Sequence, residues 1–104
     1  MDEYAWPTVA EVPTELHHRR WAATVAALPL GASIAGEVIG RQRFGVFIRV
    51  DGVPDAMALA EITVMPQRMD LPALGARLLG EVIGHAEHNH QVRVRLHEVA
   101  TSAE

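Results

Sequence analysis

Over residues 31–50 apolar and polar positions alternate as on a half-buried β-ribbon. Ile34, Gly36 and Val38 share one side of a first segment, and Val46, Ile48 and Val50 share the same side of a second. The spacing predicts two antiparallel strands joined by the short link Gly40-Arg41-Gln42-Arg43. Gly36, inside an otherwise β-prone segment, marks a place where a small sheet bends sharply or another strand comes close. That predicts a closed, strongly coiled sheet. On the opposite side Phe47 and Arg49 face solvent, and Gly45 allows a bulge that turns Phe44 outward too.

The opening of this stretch recurs. Gly31-Ala32-x-x-x-Gly36-Glu37-Val38-Ile39-Gly40 is matched by Gly75-Ala76-x-x-x-Gly80-Glu81-Val82-Ile83-Gly84. The second copy leads through a turn-rich run, His85-Ala86-Glu87-His88-Asn89-His90, into a segment with Val92, Val94 and Leu96 inward and Arg93, Arg95 and His97 outward. Two such units are too few and too unlike to stack as a solenoid. A pseudo-symmetric small barrel is expected instead.

The remaining pattern fills in the elements. Residues 1–13 carry two prolines, three acids and no period, which predicts an irregular arm pinned by Tyr4 or Trp6. Residues 14–29 form a helix in which Trp21, Val25 and Leu28 make one apolar stripe, stopped by Pro29 and Gly31, and this helix is expected on the barrel or plugging one end. Asp51-Gly52-Val53-Pro54-Asp55 is a turn by composition. Next come a short third strand at 56–60, a helical turn at 61–64 and an irregular connection over 65–75, and strands at 76–84 and 91–97 complete the set. Residues 99–104 form a flexible tail. Five short strands, with the longest connection between the third and fourth, outline an OB-fold barrel.

Length, composition and charge refine this picture. A chain of 104 residues is a single domain with one modest core. Cysteine is absent, which removes disulfides, thiolate metal sites and thiol nucleophiles. The opening MDEYAWPT is acidic and lacks a basic segment leading into an apolar run, so a cytoplasmic, membrane-free protein is expected. The formal net charge is −4, yet four acids, Asp2, Glu3, Glu11 and Glu15, lie in the first fifteen residues. Beyond them nine arginines meet nine acids. A neutral domain is a poor general polyanion binder, so any nucleic-acid site must be a local patch.

The spaced features together resemble a known family. Gly31…Gly36-x-Val38, then Phe44-Gly45-Val46-Phe47-Ile48, the Asp51-Gly52 turn, the strand ending in Glu61-Ile62, Gly75…Val82 and Val92-x-Val94-x-Leu96 are similar to the S-one domain, the RNA-binding OB-fold first named from a ribosomal protein. The resemblance covers residues 30 to about 98. It implies an all-β, five-stranded Greek-key OB-fold barrel, here with an added N-terminal α-helix. It also implies that Phe44 and Phe47 are stacking platforms for single-stranded bases, a role suited to a ring face that accepts any base at ~1–3 kcal/mol per stack. Arg41, Arg43, Arg49, Arg93 and Arg95 are the candidate phosphate contacts, and His88 and His90 are placed to flank the site. The family's Gly-Leu-x-His-x-Ser-Glu pattern is replaced by Asp55-Ala56-Met57-Ala58-Leu59-Ala60-Glu61, its aspartate after the fourth strand by Ala86, and its basic residue opening the fifth by Gln91. The loss of these polar contacts implies weak binding.

Each candidate has a plainer reading beside it. One or both phenylalanines can pack against the N-terminal helix under Trp21, and interspersed Arg and Glu is ordinary solvation of a barrel surface. His85, His88 and His90 with Glu87 suit zinc, copper or nickel by donor type, but their spacing matches no known site and a turn loses entropy on ordering. A polar turn without metal or cofactor is expected. No nucleophile has a base beside it and no glycine-rich loop opens a helix, so the expectation is a non-enzyme. The leading expectation is therefore a monomeric module that binds single-stranded or structured RNA weakly and with little sequence preference, in translation or RNA decay. The alternative is a protein–protein interaction module that keeps the barrel but has lost RNA binding, with an RNA-processing or ribosomal component as partner.

Overall fold

The computed structural model describes residues 4–6, 14–53, 56–65 and 70–99. Of the arm expected over 1–13, Tyr4, Ala5 and Trp6 are described and the others lie outside the described residues, as do residues 100–104 of the tail. The elements are α1 (Thr14–Ala27), β1 (Ser33–Gln42), β2 (Gly45–Val50), β3 (Met57–Glu61), a 3-10 turn (Ile62–Val64), β4 (Arg77–Ala86) and β5 (Gln91–Val99). The strands close into a barrel in the order β1-β2-β3-β5-β4, antiparallel except where β3 runs parallel to β5. This is an all-β, OB-like barrel with one added helix.

The inward sets are those that the alternation predicts. Ile34 and Val38 on β1, Val46, Ile48 and Val50 on β2, and Val92, Val94 and Leu96 on β5 meet Ala58 and Ala60 on β3 and Leu78 and Val82 on β4 in one core. The alanines of β3 keep the narrow interior from being overfilled. Leu28, just past α1, belongs to the same core and Trp21 packs against it, with Thr24 buried between them, so the helix seats the Trp21 and Leu28 ends of its stripe on the barrel.

The sequence repeat is a repeat in space. Gly36 pairs with Val50 across β1–β2, and Gly80 pairs with Leu96 across β4–β5. A Cβ on Gly36 would strike the Arg49 carbonyl and come within 2.6 Å of Ile48 Cγ2; one on Gly80 would lie 2.5 Å from the Arg95 carbonyl oxygen. Both ribbons then slip register one turn later, between Val38 and Gly40 and between Val82 and Gly84. Where β1 meets β4, the pair Ile34–Gly80 mirrors Gly36–Leu78 about Ala35–Leu79. The flanking hydrogen bonds mirror as well: Gly31 N–H donates to the Val82 carbonyl (2.8 Å) and Val82 N–H to Ala32 (2.9 Å), while Gly75 donates to Val38 (2.9 Å) and Val38 to Ala76 (3.0 Å). Even the side chains correspond, since Arg41 Nε donates to the Pro72 carbonyl at 2.8 Å and His85 Nε2 lies 2.7 Å from the Leu28 carbonyl.

Two local expectations are corrected. Strand β1 continues through Gln42, which pairs with Gly45, so the hairpin turns on Arg43 and Phe44 and not on the link 40–43. The bulge lies in β1 between Val38 and Gly40, and Gly45 serves another purpose: its missing side chain leaves room for the Ala60 carbonyl of β3. Phe44 faces outward because it sits in the turn.

At the β2–β3 corner Asp51 forms a two-point ion pair with Arg77 at the start of β4. The Arg77 guanidinium hydrogen bond holds the Asp51 carboxyl below its ordinary range. A lowered folded-state pKa stabilises the protein above the unfolded carboxylate pKa, and that contribution fades as pH falls through the folded-state value. Both groups are solvent-exposed, so the effect is small. Asp51→Asn is expected to be slightly less stable than the parent near neutral pH, and the two urea-denaturation curves should converge at acid pH, where Asp51 is protonated. Gly36→Ala and Gly80→Ala should each lose about 2 kcal/mol or more in the same assay, because a backbone carbonyl cannot move out of the way of a new Cβ.

Candidate nucleic-acid interface

The outer face of β2, β3 and β5 is built in cross-strand rows. Phe47 stands beside Leu59, and Leu59 beside Arg93; Arg49 stands beside Met57, and Met57 beside Gln91. Phe47 and Leu59 are each only 5% exposed although neither belongs to the barrel's core cluster. Phe47 is covered from above the sheet. The Trp6 ring lies 6.0 Å from that of Phe47 and 6.2 Å from that of Phe44, centroid to centroid, and Phe44 meets Phe47 edge-on at 6.0 Å. Such tilted and edge-on pairs are favourable arrangements for aromatic rings. The result is a second, smaller apolar cluster outside the barrel, topped by Phe44 at 43% exposure and Trp6 at 65%.

Trp6 is held there by its backbone neighbours. Ala5 N–H donates to the Arg41 carbonyl (2.7 Å) and Arg41 N–H donates to Ala5 (2.6 Å), a two-bond bridge that adds the arm to the outer end of β1. Tyr4 places its ring 5.2 Å from the Arg41 guanidinium, in cation–π range. Both aromatic residues of the arm therefore anchor it. Trp6 is the functional candidate that sequence reasoning did not name; its signal was a large aromatic in a segment with no core pattern of its own.

The expected site residues divide into two groups. Phe44, Phe47, Arg43, Arg49 and Arg93 share the outer face or its turn, with Arg43 exposed beside Phe44. Arg41 departs from the expected phosphate set. It is 8% exposed, and Nε and one terminal nitrogen donate to the carbonyls of Pro72 and Leu71 at 2.8 and 3.0 Å. Its guanidinium is largely buried and holds two backbone carbonyls of the segment before β4. Arg95 is exposed but turned to the β4 side, 3.6 Å from Glu81. His88 and His90 lie in the β4–β5 turn, next to Gln91, which pairs with Met57 at the start of β3; Phe44 is bonded through its carbonyl to Ile62 N–H, beyond the other end of β3. The histidines thus sit a strand length from Phe44. His90, at φ 55°, packs its ring 5.3 Å from that of Trp21, and His85 meets the same indole edge-on. Among the described residues no group of three or more His, Asp or Glu side chains is placed to hold a metal ion.

The electrostatics of the face are balanced. Arg49 bonds Glu37 at 2.8 Å and Arg93 meets Glu61 at 3.2 Å. The first pair is exposed and the second half-buried; an exposed pair contributes about 0–1 kcal/mol, so at Arg49 a phosphate can take the place of the carboxylate at little loss. The neighbouring acids still cap the net positive potential.

No protein-family profile matches the chain, and no curated protein matches it. Solved structures do. The apo form of Mycoplasma genitalium RNase R superposes with a TM-score of 0.63 at 17% identity, over 76% of this chain and 15% of that one. The same enzyme in complex with ribose-methylated single-stranded RNA gives 0.65 at 15% identity, over 78% and 15%. The intact alpha subunit of aIF2 from Pyrococcus abyssi gives 0.56 at 18%, over 68% and 29%. This chain therefore spans under a third of the length of each. At these identities the likeness is one of fold.

Arg41→Met, which keeps the aliphatic stem but removes both donors, should cost ~1–3 kcal/mol in thermal or urea unfolding by stranding two backbone carbonyls.

Proposed function

We propose that this chain is a non-catalytic RNA-binding module of the S-one type, acting as a monomer in the cytoplasm and taking up single-stranded or structured RNA weakly and with little sequence preference. The observation that carries this reading is the aromatic cluster of Phe44, Phe47 and Trp6 on the outer face of β2, open to solvent at Phe44 and bordered by Arg43, Arg49 and Arg93. Exposed rings cost a soluble protein apolar surface in water, and stacking nucleobases gives that surface a use. Two solved structures of similar fold contain RNA: the RNase R complex, and an a/eIF2alpha–aDim2p–rRNA complex from Pyrococcus horikoshii at TM-score 0.55 and 18% identity.

In this reading bases stack on the exposed rings while Arg43, Arg49 and Arg93 neutralise phosphates, with Glu37 and Glu61 released from their ion pairs. Arg95 and the histidines His88 and His90 act at the margins. Arg41 supports the site from beneath by fixing the end of β1. The balanced charges account for the expected weakness.

A second reading is favoured by those same ion pairs and by Leu59 and Met57 between them: a mixed-charge, partly apolar face also suits a protein partner. Salt separates the two. Three phosphate contacts on a single strand give a slope of about −2 in log K against log salt. Fluorescence anisotropy of a labelled single-stranded RNA decamer should show that slope, with Phe44→Ala weakening binding about fivefold or more in a folded protein. No binding at low salt, or binding indifferent to both salt and Phe44, would sink the RNA reading.

A further inference from the structure

Phe47 has almost no free surface, yet the residue covering it is itself mostly uncovered. Trp6 rests on Phe47 and Phe44 and leaves 65% of its own surface to solvent. A segment that simply sealed the face would bury its largest apolar side chain; this one displays it. We propose that Trp6 is the principal base-stacking platform of this protein, that Phe44 is the second, and that Phe47 acts as the supporting floor beneath them. This inference deepens the RNA-binding reading and rests on it.

Three features of the structure support it. The two-bond pairing of Ala5 with Arg41 and the Tyr4–Arg41 contact tie the arm to β1 next to Trp6, so the indole is fixed before any ligand arrives and little ordering entropy remains to oppose binding. The Trp6 and Phe44 rings are inclined at 47°. Inclined rings cannot sandwich a flat base between them, so bases meet them on their outward faces, one to each ring. Finally, Arg43 is adjacent in the chain to Phe44, and Arg93 lies one strand beyond Leu59. These cations border the rings on two sides, as a strand stacked on both rings would need.

The contrary possibility is that the arm is a shield and RNA displaces it to reach Phe47. The two predict opposite signs. Anisotropy titrations of a single-stranded RNA decamer should show Trp6→Ala weakening binding at least about fivefold, the equivalent of one lost base stack, with Trp6→Phe recovering most of the loss. In a Trp21→Phe background, where Trp6 is the sole indole, its fluorescence should be quenched as RNA is added. Binding by Trp6→Ala that equals or exceeds the parent's, or an unquenched Trp6, overturns the proposal. If Phe44→Ala weakens binding and Trp6→Ala does not, the RNA reading stands and this inference alone falls. If the parent chain binds no RNA, both fall.

Discussion

Closure of the barrel depends on two places where backbone passes so close to backbone that no side chain fits. At Gly36 the neighbour is the carbonyl of Arg49, and at Gly80 it is the carbonyl of Arg95. These near-contacts let β1 and β4 coil tightly enough for each to pair on two sides, and the sheet then shuts through the parallel β3–β5 seam. Everything outside the barrel inherits its position from that curvature. The bulges one turn beyond each glycine set which residues face outward next, and β2 presents Phe47 and Arg49 outward while β5 presents Arg93.

The pseudo-symmetry clarifies what is common scaffold and what is particular to one side. Arg41 and His85 occupy corresponding places, each tied to a carbonyl of the segment that leads into the other ribbon. Glu37–Arg49 corresponds to Glu81–Arg95. Phe47 and Arg93 also correspond, each facing the glycine after its bulge, Gly40 or Gly84. In the folded barrel these two are brought onto one face with Leu59 between them, an aromatic floor at one edge and a cation at the other. Two ribbons of like construction thus present one surface with two unlike halves.

Much of the fold was legible because alternation with period two reports burial directly, and a glycine interrupting it reports crowding. The inward residues of β1, β2 and β5, the helix stripe and the repeat all come from short-range pattern. The features that escaped were set by contacts distant in sequence. Arg41 reads as a surface cation beside Arg43, but carbonyls of Leu71 and Pro72 claim its donors, and no local pattern signals that. Phe47 reads as a solvent-facing ring; it does lie outside the core cluster, but it is buried, because Trp6 arrives from a segment without periodicity. The histidines read as neighbours of the aromatic site since both lie in loops; the direction of β3 separates them and gives His90 to Trp21.

The outer face of β2, β3 and β5 is the proposed RNA-binding surface. The most direct test is a titration of isotopically labelled protein with short pyrimidine and purine RNAs, followed amide by amide by NMR. Shifts concentrated at Trp6, Arg43, Phe44, Phe47, Leu59 and Arg93, weaker toward His88 and His90 and absent from α1, are the predicted result. Shifts centred on His85, His88, His90 and Trp21 would contradict it, placing the working surface at the helix end of the barrel.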